Sequence, residues 1–276
     1  MNIEFNNVSF CYNKNKPVLK NINLQFNKNE IVFIMGHTGS GKSTLVQHIN
    51  GLLLSDEGSV DIDFDNRNFS LSKGRKEKKM NKLRKEIGMV FQFPEYQLFE
   101  TSVLKDVMFG PYNFFKDDKK AEIMAKESLN EIGIDESYYE RSPFDLSGGE
   151  KRKVAIAGVL ASSPRVLIMD EPTSSLDSSA TKAMMELIKI LNKEGKLIIV
   201  ISHDTDLCYE YADRVIIMHE GEIIKDCNVE NAFNDKCILN KACLKEPFVY
   251  KVKKLLKIDD QSIRNIDKLK EVIIHE

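Results

Sequence analysis

Residues Gly36–Thr44 read GHTGSGKST, directly after the apolar run EIVFIM of Glu30–Met35. Gly36–Ser43 fits G-x-x-x-x-G-K-[ST], set between a strand-length run and Lys42–Leu53, which reads as a helix. The physical content is a phosphate cradle. Glycines let the backbone wrap closely, so the N–H groups from Gly36 through His37, Thr38, Gly39, Ser40 and Gly41 can face phosphate oxygens. The helix that follows adds the positive end of its dipole. Lys42 is expected to reach the β- and γ-phosphates, Ser43 to ligate Mg²⁺, and Thr44 to close the stretch.

Outward from the cradle, β-rich runs alternate with helical ones. Ile3–Phe10, Ile22–Phe26, Val60–Phe64, Ile87–Phe91, Val166–Met169, Leu197–Ile201 and Arg214–Met218 read as strands. Ala121–Ile132 and Gly148–Ser162 read as helices, the second stopped before Pro164. Such alternation predicts an α/β domain with a mostly parallel, helix-covered sheet. The helix-rich stretch between Gln92 and Pro164 is expected to stand off that sheet as a subdomain. Asn66–Lys85, rich in Lys and Arg, reads as a solvated loop leading into a helix, and the role of its basic part, residues 73–85, stays open.

Two further motifs carry chemistry. Val166–Glu171 reads VLIMDE, an apolar strand ending in two carboxylates. Asp170 is placed to hold Mg²⁺ and Glu171 to polarise an attacking water. Leu146–Glu150 reads LSGGE. Ser147 stands where a helix N-cap would, and Gly148 and Gly149 leave backbone N–H groups open to an anion. From spacing alone this reads as an ordinary capped helix. Tyr12 alone is a packed strand aromatic, and His203 alone a strand-end histidine.

Taken in order, however, these residues resemble the ATP-binding-cassette (ABC) ATPases over about residues 3–220. The matching pieces are Tyr12, GHTGSGKST, Gln92, LSGGE, VLIMDE, Ser175–Asp177 (SLD) and His203 in VISHD. The resemblance implies a P-loop NTPase fold: a RecA-like core, an antiparallel β subdomain and an inserted helical subdomain over about 93–164. It implies that Tyr12 stacks on adenine, that Gln92 couples Mg²⁺ to a partner surface, and that His203 contacts the γ-phosphate alongside Lys42. It also implies that two cassettes pack head to tail. Each ATP would then be gripped by the cradle of one chain and by Ser147, Gly148, Gly149 and Glu150 of the other, with Asp177 at the same junction.

A finer likeness is to the ATPases of energy-coupling-factor (ECF) transporters, nearest the second of their two paired ATPase components. It rests on FQFPEYQLFE (Phe91–Glu100), GHTGSGKSTLVQHINGLL (Gly36–Leu53), KRKVAIAGVLA (Lys151–Ala161) and CILNKACLKEPFV (Cys237–Val249). The chain departs mildly at Glu150, where many relatives carry Gln, and in the flanks of SLD. The likeness implies ATP-driven uptake of vitamins or metal ions. It also implies a related ATPase as heterodimer partner, a transmembrane coupling subunit, a substrate-binding membrane subunit, and a peripheral place on the cytoplasmic face of the membrane. Residues 221–276 would be a small helical C-terminal extension serving dimerisation. In it, Phe248, Val252, Leu255 and Leu256 fall on one helical face, and Ile266, Leu269, Val272 and Ile273 on another.

Composition sets the bounds. The chain has 276 residues and a formal net charge of -2, from 40 basic and 42 acidic side chains. That length allows one large domain with a modest appendage. Near-neutrality argues against bulk binding to nucleic acid. No apolar run approaches the ~20 residues needed to span a bilayer. The opening MNIEFNNVSF lacks the basic start and apolar centre of a signal peptide. Five cysteines without CxxC spacing predict neither a zinc site nor a disulfide frame. The alternatives are an ABC ATPase acting on nucleic acid or ribosomes, a P-loop kinase, and a non-catalytic nucleotide sensor. A kinase has no use for LSGGE and SLD, and a sensor none for paired Asp170 and Glu171.

Overall fold

The computed structural model describes residues 1–13, 16–65, 67–74 and 80–275. In chain order the first half runs β1 (Asn2–Asn13), β2 (Lys16–Asn27), β3 (Ile31–Met35), α1 (Lys42–Ile49), β4 (Glu57–Phe64), β5 (Arg67–Leu71), α2 (Met80–Glu86) and β6 (Ile87–Val90). The helical insertion follows, with α3 (Val103–Phe115), α4 (Asp118–Glu131) and α5 (Gly148–Leu160). The chain then returns to the core through β7 (Val166–Asp170), α6 (Ser178–Lys193), β8 (Leu197–Ile201), α7 (Thr205–Tyr211), β9 (Arg214–His219) and β10 (Glu222–Asn228). It finishes in α8 (Val229–Ala232), α9 (Lys236–Lys241), α10 (Phe248–Leu256) and α11 (Ile266–His275).

The core sheet has strand order β10-β9-β3-β8-β7-β6, parallel except for β10 on β9. Every residue of β3 and β8 is buried, because both faces of the sheet are covered. Period-two alternation divides those residues between two cores. Ile31, Phe33 and Met35 face a core shared with the helices α5 and α6, with Val200, Leu167 and Met169 beside them. Val32 and Ile34 face the other core, with α1 and the second sheet. That second sheet is antiparallel, ordered β2-β1-β4-β5, and supplies Ile3, Phe5, Ile62 and Phe64.

Three expectations need correction. The stretch 66–85 is not loop up to its helix. Arg67–Leu71 is an edge strand paired with β4, its Phe69 and Leu71 turned inward. Residues 66 and 75–79, including much of the basic run, lie outside the described residues. The helix after the cradle ends at Ile49, not Leu53: Gly51 turns left-handed (φ 66°) and the Asn50 side chain accepts from the Leu52 N–H.

The third concerns the tail. Its first residues, Glu222–Asn228, complete the core sheet as β10. In α10 the inward side is Val249 and Lys253, while Phe248, Leu255 and Leu256 are exposed. A helical wheel counts lysine as polar. Here the Lys253 stem packs inward and its ammonium donates to the Tyr209 hydroxyl at 3.0 Å. In α11, Leu269 is buried, whereas Ile266 and Ile273 are exposed. Among the described residues no helix is long and apolar enough to cross a membrane.

Candidate active site

The cradle leaves the tip of β3 and ends at the N-terminus of α1. Gly36 (φ 142°) cannot be another residue: a Cβ there would lie 2.2 Å from the Met218 carbonyl oxygen at the tip of neighbouring β9. Gly41 (φ 104°) is similarly confined, with the Val18 carbonyl 3.0 Å from where its Cβ would stand. The Lys42 ammonium is folded back into the loop and donates to the Gly36 and His37 carbonyls at 2.8 and 2.9 Å. Burial pushes its pKa down from the ordinary lysine value, and the carboxylates of Glu171 and Asp170 oppose that shift. The Ser40 hydroxyl and His37 Nε2 are buried without a hydrogen-bond partner among the described residues. An unused serine hydroxyl and a cationic nitrogen held inside a ring of backbone suit an anion.

In front of the cradle opens a cleft of about 660 Å³. Of the expected residues, Tyr12, Thr38, Gly39, Gly41, Lys42, Ser43, Thr44, Gln92, Asp170, Glu171 and His203 line it. Gly36, His37 and Ser40 sit behind that lining; Ser40 is fully buried, and the His37 ring packs edge-on against His219 at 5.2 Å. Sequence reasoning missed Asn13, Lys16, Val18 and Ile201, which also line the cleft. Lys16 and Val18 enter because the β1–β2 hairpin folds its far end over the cradle, a tertiary fact with no local signal.

Strand order explains the chemistry at the back of the cleft. β7 and β8 are neighbours in parallel register, so Asp170 pairs with Ile201 and both loops emerge at one edge. Asp170 accepts a hydrogen bond from the Ser43 hydroxyl, yet burial, the largest influence, raises its pKa above the ordinary aspartate value. Glu171 takes a left-handed conformation (φ 49°) that swings it off the strand line, its N–H held by the Ile201 carbonyl at 2.9 Å. Glu171 Oε1 lies 2.9 Å from His203 Nδ1. Tyr12 stands at the mouth, 58% exposed, its ring edge braced on Phe10 at 5.0 Å and its hydroxyl 3.3 Å from the Thr44 hydroxyl. Its free face can take a flat ring.

The remaining expected residues are not brought to this cleft. Ser147, Gly148, Gly149 and Glu150 form the exposed start of α5. Ser147 accepts from the Glu150 N–H at 3.4 Å, and Glu150 accepts from the Ser147 N–H at 2.8 Å, a reciprocal capping box. A Cβ on Gly148 or Gly149 would meet nothing within 4 Å, so that helix start is an open surface. Asp177 caps α6 through the Ala180 N–H at 2.8 Å. Within one chain, LSGGE is a capped helix whose N-terminus is free.

A glycine cradle and a carboxylate-tipped strand at one edge of a parallel sheet, with a helical insertion beside them, define a nucleoside triphosphatase of the P-loop class. The model of the ABC transporter family matches residues 19–174. The energy-coupling factor transporter ATP-binding protein EcfA2 of Lactobacillus gasseri is 43% identical over 251 residues, covering 90% of this chain and 86% of that one. Among solved structures, cbiO1 from Clostridium perfringens, part of the ABC transporter complex cbiONQ, superposes with a TM-score of 0.74 at 35% identity, covering 93% of this chain and 98% of that one. The ATP-binding cassette MJ0796, in a dimeric post-hydrolysis state bound to ADP and Pi, superposes with a TM-score of 0.71 at 30% identity over 82% of this chain and 98% of that one. The chain therefore belongs to the ABC transporter family, among the ATP-binding proteins of energy-coupling factor transporters. It binds ATP, and its reaction is ATP hydrolysis coupled to transport.

Proposed function

We propose that this chain works as one of two cassettes that close over two ATP molecules and so power an ECF-type importer of vitamins or metal ions. The carrying observation is the division of the site. The cradle, Asp170, Glu171 and His203 line one cleft, while the anion-ready start of α5 at Ser147–Glu150 lies open and outside that lining. A second chain placed head to tail would supply the missing half; a relative, the MJ0796 cassette, is dimeric with ADP and Pi bound.

In this reading Lys42 and the cradle amides hold the β- and γ-phosphates. Glu171 orients water in line, and His203, fixed by its contact with Glu171, stabilises charge at the γ-phosphate. Ser43, Asp170 and Gln92 fit a magnesium ion, since hydroxyl, carboxylate and amide oxygens are hard donors and the first two already meet. When bound, that ion would neutralise charge on the phosphates. Loss of the γ-phosphate removes the link between chains, and the clamp opens.

The segment after Gln92 supports a membrane partner. Pro94 and Leu98 are buried and fasten it to the helical subdomain, while Tyr96 is 84% exposed and Phe99, edge-on to Phe109 at 4.9 Å, is exposed as well. An aromatic patch on a loop suits helices of a transmembrane coupling subunit. The exposed Phe248, Leu255 and Leu256 suit contact with a related ATPase through residues 221–276. Such a chain would be peripheral, on the cytoplasmic face, and the solute would be recognised by a separate membrane subunit. The test is a gentle detergent pull-down with each co-purifying subunit identified. A related ATPase together with a multi-span protein is expected; a soluble, nucleic-acid-stimulated ATPase would support the other branch of the family.

A further inference from the structure

Arg152, five residues past Ser147 on α5, is 4% exposed, and its guanidinium joins two segments remote in sequence. Nε donates to Glu95 Oε2 at 3.3 Å, and Nη1 donates to the Ser174 backbone carbonyl at 2.7 Å. Glu95 belongs to the single turn Pro94–Gln97, beside the exposed Tyr96. Ser174 opens the turn into Leu176 and Asp177, and its N–H donates back to the Glu171 carbonyl at 3.2 Å. Glu171, in its left-handed conformation, is thus held from both sides: its N–H on Ile201 of β8, its carbonyl by Ser174.

We propose that Arg152 is a positioning residue for hydrolysis, linking the turn at Glu95 to the backbone of Glu171 through the Ser174 carbonyl. The proposal rests on the reading of Glu171 as the residue that orients water. The chemistry favours arginine. Its planar fork serves two acceptors in fixed, separated directions, whereas a lysine's ammonium gathers its donors at one point and lacks that spacing. A buried guanidinium without Glu95 would keep only a neutral carbonyl partner, so the two contacts stand or fall together. Arg152 does not line the cleft, and neither do its partners Glu95 and Ser174, so nucleotide affinity is outside its reach. A displacement of Glu171 by a fraction of an ångström acts on turnover alone.

The test is steady-state ATPase of the full chain in its detergent-solubilised complex, with kcat and KM for ATP measured for Arg152→Gln, Arg152→Lys, Glu95→Gln and the Glu95→Gln/Arg152→Gln double variant. Arg152→Gln should lower kcat about tenfold or more with KM within about twofold of wild type. Arg152→Lys should recover only part of that loss. Glu95→Gln should lower kcat by about threefold, and the double variant should be no slower than Arg152→Gln alone. Wild-type kcat in Arg152→Gln, multiplying losses in the double variant, or KM rising in step with the fall in kcat would each overturn the proposal. Should Arg152→Gln fail to fold, the Glu95→Gln and Arg152→Lys values decide by the same criteria. Glu171→Gln measured alongside separates the two levels. Full turnover there removes the reading beneath the proposal. Its loss there, together with wild-type turnover in Arg152→Gln, removes the proposal alone.

Discussion

His203 Nδ1 and Glu171 Oε1 meet at 2.9 Å although 32 positions separate them in the chain. The neighbouring tips of β7 and β8 create this contact, since Asp170 and Ile201 are register partners and each residue follows its strand. His203 is largely exposed and Glu171 largely buried, so the pair contributes little to stability and much to the orientation of the carboxylate. His203→Ala should therefore leave the melting temperature of the chain nearly unchanged while slowing turnover about tenfold or more, read by ATPase assay of the assembled complex.

Glu171→Gln keeps the shape of the side chain and removes its capacity as a base. Turnover should fall by at least about a hundredfold, while ATP-bound two-chain particles persist in size-exclusion chromatography. Unchanged turnover in the assembled complex would rule Glu171 out as the residue acting on water.

Lys42→Ala deletes the cationic side chain bonded into the cradle carbonyls. Charge-assisted bonds are worth about 1.5–3 kcal/mol, so ATP affinity should weaken by roughly ten- to a hundredfold in a calorimetric titration. Equal affinity would count against the cradle.

Gly36→Ala places a methyl group 2.2 Å from the Met218 carbonyl at a positive φ that alanine disfavours. Two strands must part to admit it. Destabilisation of about 2–4 kcal/mol, measured by denaturant unfolding, should accompany loss of nucleotide binding.

Asp170 carries a pH consequence. Burial raises its folded-state pKa above the ordinary carboxylate value, so its contribution to stability is full below that ordinary value and is lost as pH rises through the folded pKa. At neutral pH its charge thus works against the nucleotide-free fold. Asp170→Asn, which still accepts from Ser43, should raise the melting temperature at pH 7 without nucleotide, by less at pH 4, and should abolish hydrolysis. A lower melting temperature at pH 7 would contradict this electrostatic account.

The cleft was largely legible in sequence because its chemistry demands particular residue types at fixed spacing: Lys42 after six cradle residues, Asp170 and Glu171 at a strand tip. The β3 and β8 strands were legible because double-sided burial makes them continuously apolar. The strand at Arg67–Leu71 was not, since only Phe69 and Leu71 mark it among polar neighbours. The inward face of α10 was not legible, because Lys253 buries a long apolar stem under a charged head. Arg152 was invisible for a different reason. Its two partners come from loops that only the packed subdomains bring together.

The central claim is that the ATP site is divided between chains, and the most direct measurement is ATPase turnover after Ser147→Arg substitution, alongside nucleotide affinity. The bulky cation closes the open start of α5 yet lies outside the cleft of its own chain. Turnover in the assembled complex should fall by at least about tenfold while ATP affinity of the single chain stays within about twofold of wild type. A verified single-chain particle that hydrolyses ATP at the full rate with Ser147 replaced would contradict the account.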